Sequence, residues 1–187
     1  MSYPNQLLSL LNKYQPIDES DLAHKTKIIH FVENEPDCFK KSLLKGHVTG
    51  SAWVVDPSHH KVLLTLHKKL KKWLQLGGHA DGESDLLQVA IREAQEESGL
   101  EKIFPISTEI FDLDIHLIPS RQQEPEHFHY DIRFMLEASQ PELIKKSSES
   151  IDLRWIDIER LEEFSNEDSL LQMKKKWLKL KMGKKYY

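Results

Sequence analysis

The chain is poor in cysteine and contains no long apolar run, and both features narrow the kinds of protein it can be. Among its 187 residues Cys38 is the single cysteine, so an internal disulfide is excluded. No stretch approaches the roughly 20 apolar residues that a membrane-spanning helix requires. The N-terminus has no basic segment followed by an apolar run, so no secretory signal is expected. These features predict a protein without a membrane span in a reducing, cytoplasmic compartment.

The chain also contains few glycines and prolines and has no excess of positive charge. The 7 glycines and 8 prolines follow no repeat, which excludes a collagen-like chain. The formal net charge is −4 and the isoelectric point is about 6.2, and this balance argues against nucleic acid as a partner. Apolar residues make up 39% of the chain, which is enough for a core, and the length suits one domain with a terminal extension.

The order of apolar patterns predicts an α/β (α+β) fold with a mixed sheet covered by helices. Residues 1–45 read as a helical extension that could cap a pocket, form a dimer contact or cover the sheet. Residues 46–187 then form the main domain, which ends in C-terminal helices. Within it we expect strands at 47–56, 61–67, 73–76, 109–118, 129–136 and 151–156, and helices at 83–98, 157–164 and 166–180.

A helix that ends at Gly99 carries three carboxylates on one side. At about 100° per residue, Glu93, Glu96 and Glu97 fall within roughly a 100° arc. Glu93 and Glu97 are like charges at i,i+4, which costs about 0.2–0.5 kcal/mol, and all three lie near the negative end of the helix dipole. A divalent cation that prefers oxygen ligands, Mg²⁺ or Mn²⁺, would compensate for this arrangement.

The alternative is that this acidic side is only solvated surface, as in most Glu-rich helices. Two neighbouring features favour a site instead. Gly77 and Gly78 precede the helix and allow the backbone to approach a ligand closely, and Arg92 stands directly before Glu93. A strand, a glycine loop and a carboxylate helix in this order suit a diphosphate–metal site.

The segment resembles the signature box of the Nudix hydrolases: Gly, five residues, Glu, seven residues, Arg-Glu, an aliphatic residue, any residue, Glu-Glu, any residue, Gly, an aliphatic residue. One position departs from it, because Ser84 fills the first Glu slot and Glu83 lies one residue early. In that family the first Glu braces the loop through Arg, and we expect Glu83 to do so from this shifted position, with Ser84 as the helix N-cap. The matching residues are Gly78, Arg92, Glu93, Glu96, Glu97, Gly99 and Leu100.

The resemblance implies an α/β/α sandwich that hydrolyses the diphosphate bond of a nucleoside diphosphate derivative or a similar small molecule. It implies Mg²⁺ or Mn²⁺ as cofactor and a fold that often forms homodimers. Glu93 is then either a third metal ligand or the general base, and Arg92 orients Glu93 or the loop. Glu149 is either a further ligand or a solvated loop acid. The remaining implied ligands are Glu96, Glu97 and the Gly77 carbonyl.

Polar residues outside the box supply further candidates. His79, beside the two glycines, is a candidate substrate contact. Asp114 alternates with Asp112 and His116 on one strand face, which could line a pocket or face solvent. The sequence has ten histidines but no paired cysteines and no His-Glu-x-x-His pattern, so zinc is not expected. Six histidines lie near predicted strands or loops: His47, His67, His79, His116, His127 and His129.

Two other functions remain open at this point. A binding or regulatory module could keep the box without turnover, although the three intact glutamates argue against it. An isomerase of isoprenyl diphosphates resembles a family on the same fold with a cysteine in its active site. Here Cys38 lies outside the box without a visible partner.

Overall fold

The structure, a computed structural model, describes residues 3–120 and 125–183. No helix within these ranges is long and apolar enough to cross a membrane. Short 3₁₀ segments occupy Pro141–Leu143 and Ile158–Glu163. The helices and strands follow in chain order: α1 Tyr3–Lys13, α2 Glu19–Asn34, β1 Gly46–Val55, β2 Lys61–His67, β3 Trp73–Leu74, β4 Leu76–His79, α3 Leu86–Ser98, β5 Ile103–Pro105, β6 Asp112–Ile118, β7 His127–Ala138, β8 Ser150–Asp157 and α4 Asp168–Gly183.

Two long parallel strands form the centre of the sheet. β1 pairs with β7 without interruption, from Gly46 opposite Phe128 to Val55 opposite Glu137. All the other pairings are antiparallel: β2 and β4 with β1, β5 and β6 with β7, and β3 and β8 with β2. Every residue of β1 is buried, as expected of a strand that is covered on both faces. The predicted mixed sheet is confirmed.

Helices cover both faces of this sheet. Alternation along β1 directs Val48 and Ala52 into the core that includes α3, and a Cβ on Gly50 would meet Val89 of that helix. The opposite face of β1 presents Trp53, which is buried in a second core with Trp177 of α4. The expected α/β/α sandwich is therefore confirmed.

The two N-terminal helices belong to the first of these cores. Leu11 of α1 and Ile28 of α2 are fully buried there. The ring of Phe31 stacks on Tyr130 of β7, with centroids 3.8 Å apart and planes 8° from parallel. Of the three roles considered for residues 1–45, the structure shows the third, since these helices cover the sheet.

Two local expectations were wrong. The predicted strand at 73–76 is split, because β3 pairs with β2 whereas β4 pairs with β1 and includes both glycines. The helix begins at Leu86 rather than Glu83, and its N-cap is Asp85, whose side chain accepts from the Gln88 amide at 3.2 Å. Ser84 is therefore not the cap. The predicted end is correct, since Gly99 adopts a left-handed φ of 68° there.

Candidate active site

The glycines of β4 lie directly against the carboxylates of α3. The Gly77 amide donates to Oε1 of Glu97 at 3.1 Å. A Cβ on Gly78 would lie 2.6 Å from Cδ of Glu93, closer than side chains tolerate. A side chain at position 78 would therefore displace the Glu93 carboxylate, whereas glycine leaves it in place.

Arg92 connects the loop to one of these carboxylates. Its Nη2 donates to the His79 carbonyl at 3.0 Å and to Oε1 of Glu93 at 2.8 Å. Its Nε lies 3.9 Å from Oε1 of Glu96, whose side chain is 65% exposed. The expectation that Arg92 orients Glu93 or the loop agrees with these contacts.

The cluster is electrostatically unbalanced. Burial raises the pKa of Glu97 to about 7, and the charges of Glu93, Glu149 and Glu96 raise it further. The hydrogen bond from the Gly77 amide acts in the opposite direction and lowers this pKa. Burial also raises the pKa of Glu93, although Arg92 opposes this effect. A raised carboxyl pKa means that the ionised form lacks sufficient compensating charge.

Glu149 joins the cluster from a different part of the chain. It lies on the exposed loop before β8, and its carbonyl accepts from the Lys68 amide at 2.9 Å. Its charge contributes to the raised pKa of Glu97, after burial and the charge of Glu93. The role of Glu149 as a further metal ligand therefore remains a prediction.

The residue that departs from the box has a structural role at the start of the helix. Oε1 of Glu83 accepts from the amides of Ser84 at 2.7 Å and Asp85 at 2.9 Å. These backbone donors lower the pKa of Glu83. The shifted glutamate therefore binds the backbone just before the helix, and its expected bracing of the loop through Arg remains a prediction.

The two predicted substrate contacts have different surroundings. His79 places its ring centroid 5.0 Å from that of His47, in a group of imidazoles beside the loop. Asp114 pairs with Nη2 of Arg133 at 2.9 Å and with Nδ1 of His116 at 3.1 Å. Its carboxylate is thus already engaged, and its role as a substrate contact remains a prediction.

Arg133 itself was missed by the sequence analysis. It is 1% exposed and donates to Asp112, Asp114 and Asp131. The alternation of Asp131 and Arg133 on one strand face was visible, but the partners on β6 depend on a register that the sequence does not reveal.

Comparison with known proteins identifies the family. The model of the NUDIX domain matches residues 46–179, well over half of the chain. The chain belongs to the Nudix family. As a member of this family, the protein is a pyrophosphohydrolase, which is a hydrolase that acts on acid anhydrides. No curated protein sequence matches it significantly.

Solved structures support this assignment. A NUDIX-family hydrolase from Clostridium perfringens is 30% identical, with 72% of this chain and 97% of that chain covered and a TM-score of 0.51. A C. elegans Ap4A hydrolase is 15% identical, with 73% and 98% covered and a TM-score of 0.55. The E. coli dihydroneopterin triphosphate pyrophosphohydrolase is 14% identical, with 68% and 92% covered and a TM-score of 0.51. The last two show similarity of fold alone.

Proposed function

We propose that this Nudix protein uses Mg²⁺ or Mn²⁺ to hydrolyse the diphosphate bond of a nucleoside diphosphate derivative. The observation that carries the proposal is the uncompensated charge at Glu97. Its carboxylate accepts a hydrogen bond from the Gly77 amide, and the charges of three other glutamates raise its pKa. Arg92 is engaged with Glu93 instead. A bound dication would supply the missing positive charge.

The available ligand atoms fit such an ion. Carboxylate and carbonyl oxygens are the ligands that Mg²⁺ and Mn²⁺ prefer. In our proposal Glu96, Glu97 and the Gly77 carbonyl hold the ion and Glu149 is a further ligand. When bound, a dication neutralises phosphate charge and lowers the pKa of water.

The protein groups then have separate tasks. Glu93 acts as a third ligand or as the base that accepts the proton of the attacking water. Arg92 is a positioning residue, because its guanidinium fixes both Glu93 and the His79 carbonyl. His79 and Asp114 remain proposed contacts for the substrate. Ap4A and dihydroneopterin triphosphate, named for the two similar hydrolases, support a phosphorylated substrate for this chain.

The test is release of phosphate products from a panel of nucleoside diphosphate derivatives with Mg²⁺. We expect Glu97→Gln to lower the turnover of an active substrate by on the order of 100-fold, equivalent to about 2.7 kcal/mol of barrier. Glu101→Gln is the matched control, because Glu101 is exposed just beyond the same helix and should leave turnover unchanged. No release from a broad panel together with tight ligand binding would contradict hydrolysis and favour a regulatory module.

The isomerase alternative finds no support at its cysteine. Cys38 is 0% exposed, and burial raises the pKa of its thiol to about 11. Such a thiol is protonated at neutral pH and inaccessible to a substrate. Conversion of isopentenyl diphosphate without phosphate release would contradict our proposal.

A homodimer and a cytoplasmic location remain predictions. The dimer is expected from the resemblance to the family, and sedimentation of the purified chain would test it. The location is expected from the scarcity of cysteine, and fractionation of cells would test it.

A further inference from the structure

Five histidines converge on four adjacent strands at one end of the sheet. The register puts His47 of β1 opposite His129 of β7, and His129 opposite His116 of β6. His127 precedes His129 by two residues, so it shares the same face. His79 of β4 completes the group, with its ring centroid 5.1 Å from that of His129.

Three of these imidazoles are close enough to share one ligand. His47, His127 and His129 each offer a ring nitrogen within 4.8 Å of the other two. The Nε2 atoms of His127 and His129 are 3.3 Å apart. Two nitrogens bound tetrahedrally to one zinc ion at 2.0–2.1 Å lie about 3.4 Å apart, so the His127–His129 pair already has this separation and ring rotation must bring in the nitrogen of His47.

His47 provides an independent sign of a ligand. It is 2% exposed, and within residues 3–120 and 125–183 neither of its ring nitrogens has a hydrogen-bond partner. A buried polar group without a partner costs about 1–3 kcal/mol, and native structures contain few of them. An ion bound at the ring would remove this cost.

The surroundings of the rings favour a cation over an anion. A contact of 2.9 Å between Nδ1 of His127 and the Pro125 carbonyl fixes the proton on Nδ1, so the Nε2 atom that faces His129 carries a lone pair. A neutral imidazole does not attract phosphate, and it is the form that binds metals.

We propose that His47, His127 and His129 form a second metal site, for a transition-metal dication of the zinc class. A ligand set made only of imidazoles selects such ions over Mg²⁺, whereas the carboxylates of α3 have the opposite preference. The sequence analysis did not expect zinc because it looked for ligands at motif spacing. These three ligands instead come from two strands, and the register of the sheet aligns them.

This site is connected to the loop of the active site. The His79 ring contacts His47 and His129, while the His79 carbonyl accepts from Arg92. A metal held by the three histidines would therefore stiffen the strand end that carries Gly77 and Gly78. Its role is to anchor the loop, and the proposal does not require it to touch the substrate.

The experiment titrates Zn²⁺ into the metal-free full-length protein by calorimetry, with millimolar Mg²⁺ present throughout. We expect about one Zn²⁺ per chain, and with Co²⁺ an absorption band typical of nitrogen ligands. His127→Gln and His129→Gln should each weaken binding by about 10–100-fold. Both side chains are partly exposed, and circular dichroism checks that the variants fold.

Two controls locate the ion. His60→Gln changes an exposed histidine outside the cluster and should leave the affinity for Zn²⁺ unchanged. A Glu96→Gln, Glu97→Gln double variant should also keep Zn²⁺. The proposal is overturned if the parent chain binds no Zn²⁺ under Mg²⁺, if both cluster variants bind normally, or if the double variant alone loses the ion. Because the measured quantities are heat and absorbance, failure here is distinguishable from failure of the proposed hydrolysis.

Discussion

Two groups of carboxylates lie on opposite faces of the sheet, and they differ in how far basic residues of the protein balance their negative charge. On the face away from α3, Arg133 donates to Asp112, Asp114 and Asp131 at 2.7–2.9 Å. Although burial opposes it, the Arg133 charge lowers the pKa of Asp114 well below its usual range. These three aspartates have their counter-charge within the protein, and we call them, together with Arg133, the compensated group.

On the α3 face, Glu97 has no ion pair among residues 3–120 and 125–183. Burial raises the pKa of Glu97 to about 7, and the guanidinium of Arg92 is engaged with Glu93. The comparison teaches that acidic residues alone do not identify a metal site. The direction of the pKa shift separates acids whose charge is paired within the protein from acids whose ionised form is disfavoured by burial.

One member of the compensated group, Asp112, also belongs to a network of polar contacts that joins β6 to α2 and α4. Lys176 of α4 binds Asp21 of α2 at 2.9 Å and also contacts Asp112 of β6. The hydroxyl of Tyr14, after α1, donates to Asp21 at 2.7 Å. Helix α4 therefore contributes a buried lysine to this network.

The largest predicted effect is on the compensated group. Arg133→Met leaves buried carboxylates without their partner, so we expect a loss of about 3–5 kcal/mol in the free energy of unfolding, measured with urea. Arg160→Met is the control, because Arg160 pairs with Glu163 while 63% exposed. That change should cost less than about 1 kcal/mol. Equal losses in the two variants would remove the structural role assigned to Arg133.

The next effect concerns the carboxylates of α3, Glu96 and Glu97, where Mg²⁺ is proposed to bind. Saturating Mg²⁺ at about 100 times its Kd should stabilise the parent chain by about 2.7 kcal/mol, which raises the Tm by about 5–10 °C. A Glu96→Gln, Glu97→Gln double variant should lose this rise yet be no less stable without metal, since it removes mutual repulsion. Differential scanning calorimetry measures both. An equal rise in the two proteins would place the Mg²⁺ elsewhere.

The difference between the two groups also explains what the sequence could predict. Glu93, Glu96 and Glu97 share one helix, so their spacing alone brings them together. Arg133 and Asp112 lie 21 residues apart on paired strands, and His47 and His129 are farther apart still, so only the register reveals their contact. The split of the strand at Gln75 was equally hidden, because the two halves choose different partner strands.

The smallest predicted effect is a dependence of stability on pH, with opposite signs for the two groups. Asp114 has a depressed pKa, so its contribution is present at neutral pH and is lost as the pH falls into the acid range. Glu97 has a pKa raised from 4.5 to about 7, so folding favours its protonated form. Its contribution is present below about pH 4.5 and is lost as the pH rises through 7.

Glu97→Gln isolates this second contribution, because glutamine keeps the shape of the protonated acid and does not ionise. Relative to the parent chain in EDTA, the variant should gain about 1–2 kcal/mol in unfolding free energy between pH 5 and pH 8. Urea unfolding at several pH values measures the difference. Saturating Mg²⁺ should reverse the advantage at pH 8, because the ion stabilises only the ionised carboxylate. A constant difference across this range would mean that the Glu97 charge is already compensated within the protein, as the charges beside Arg133 are.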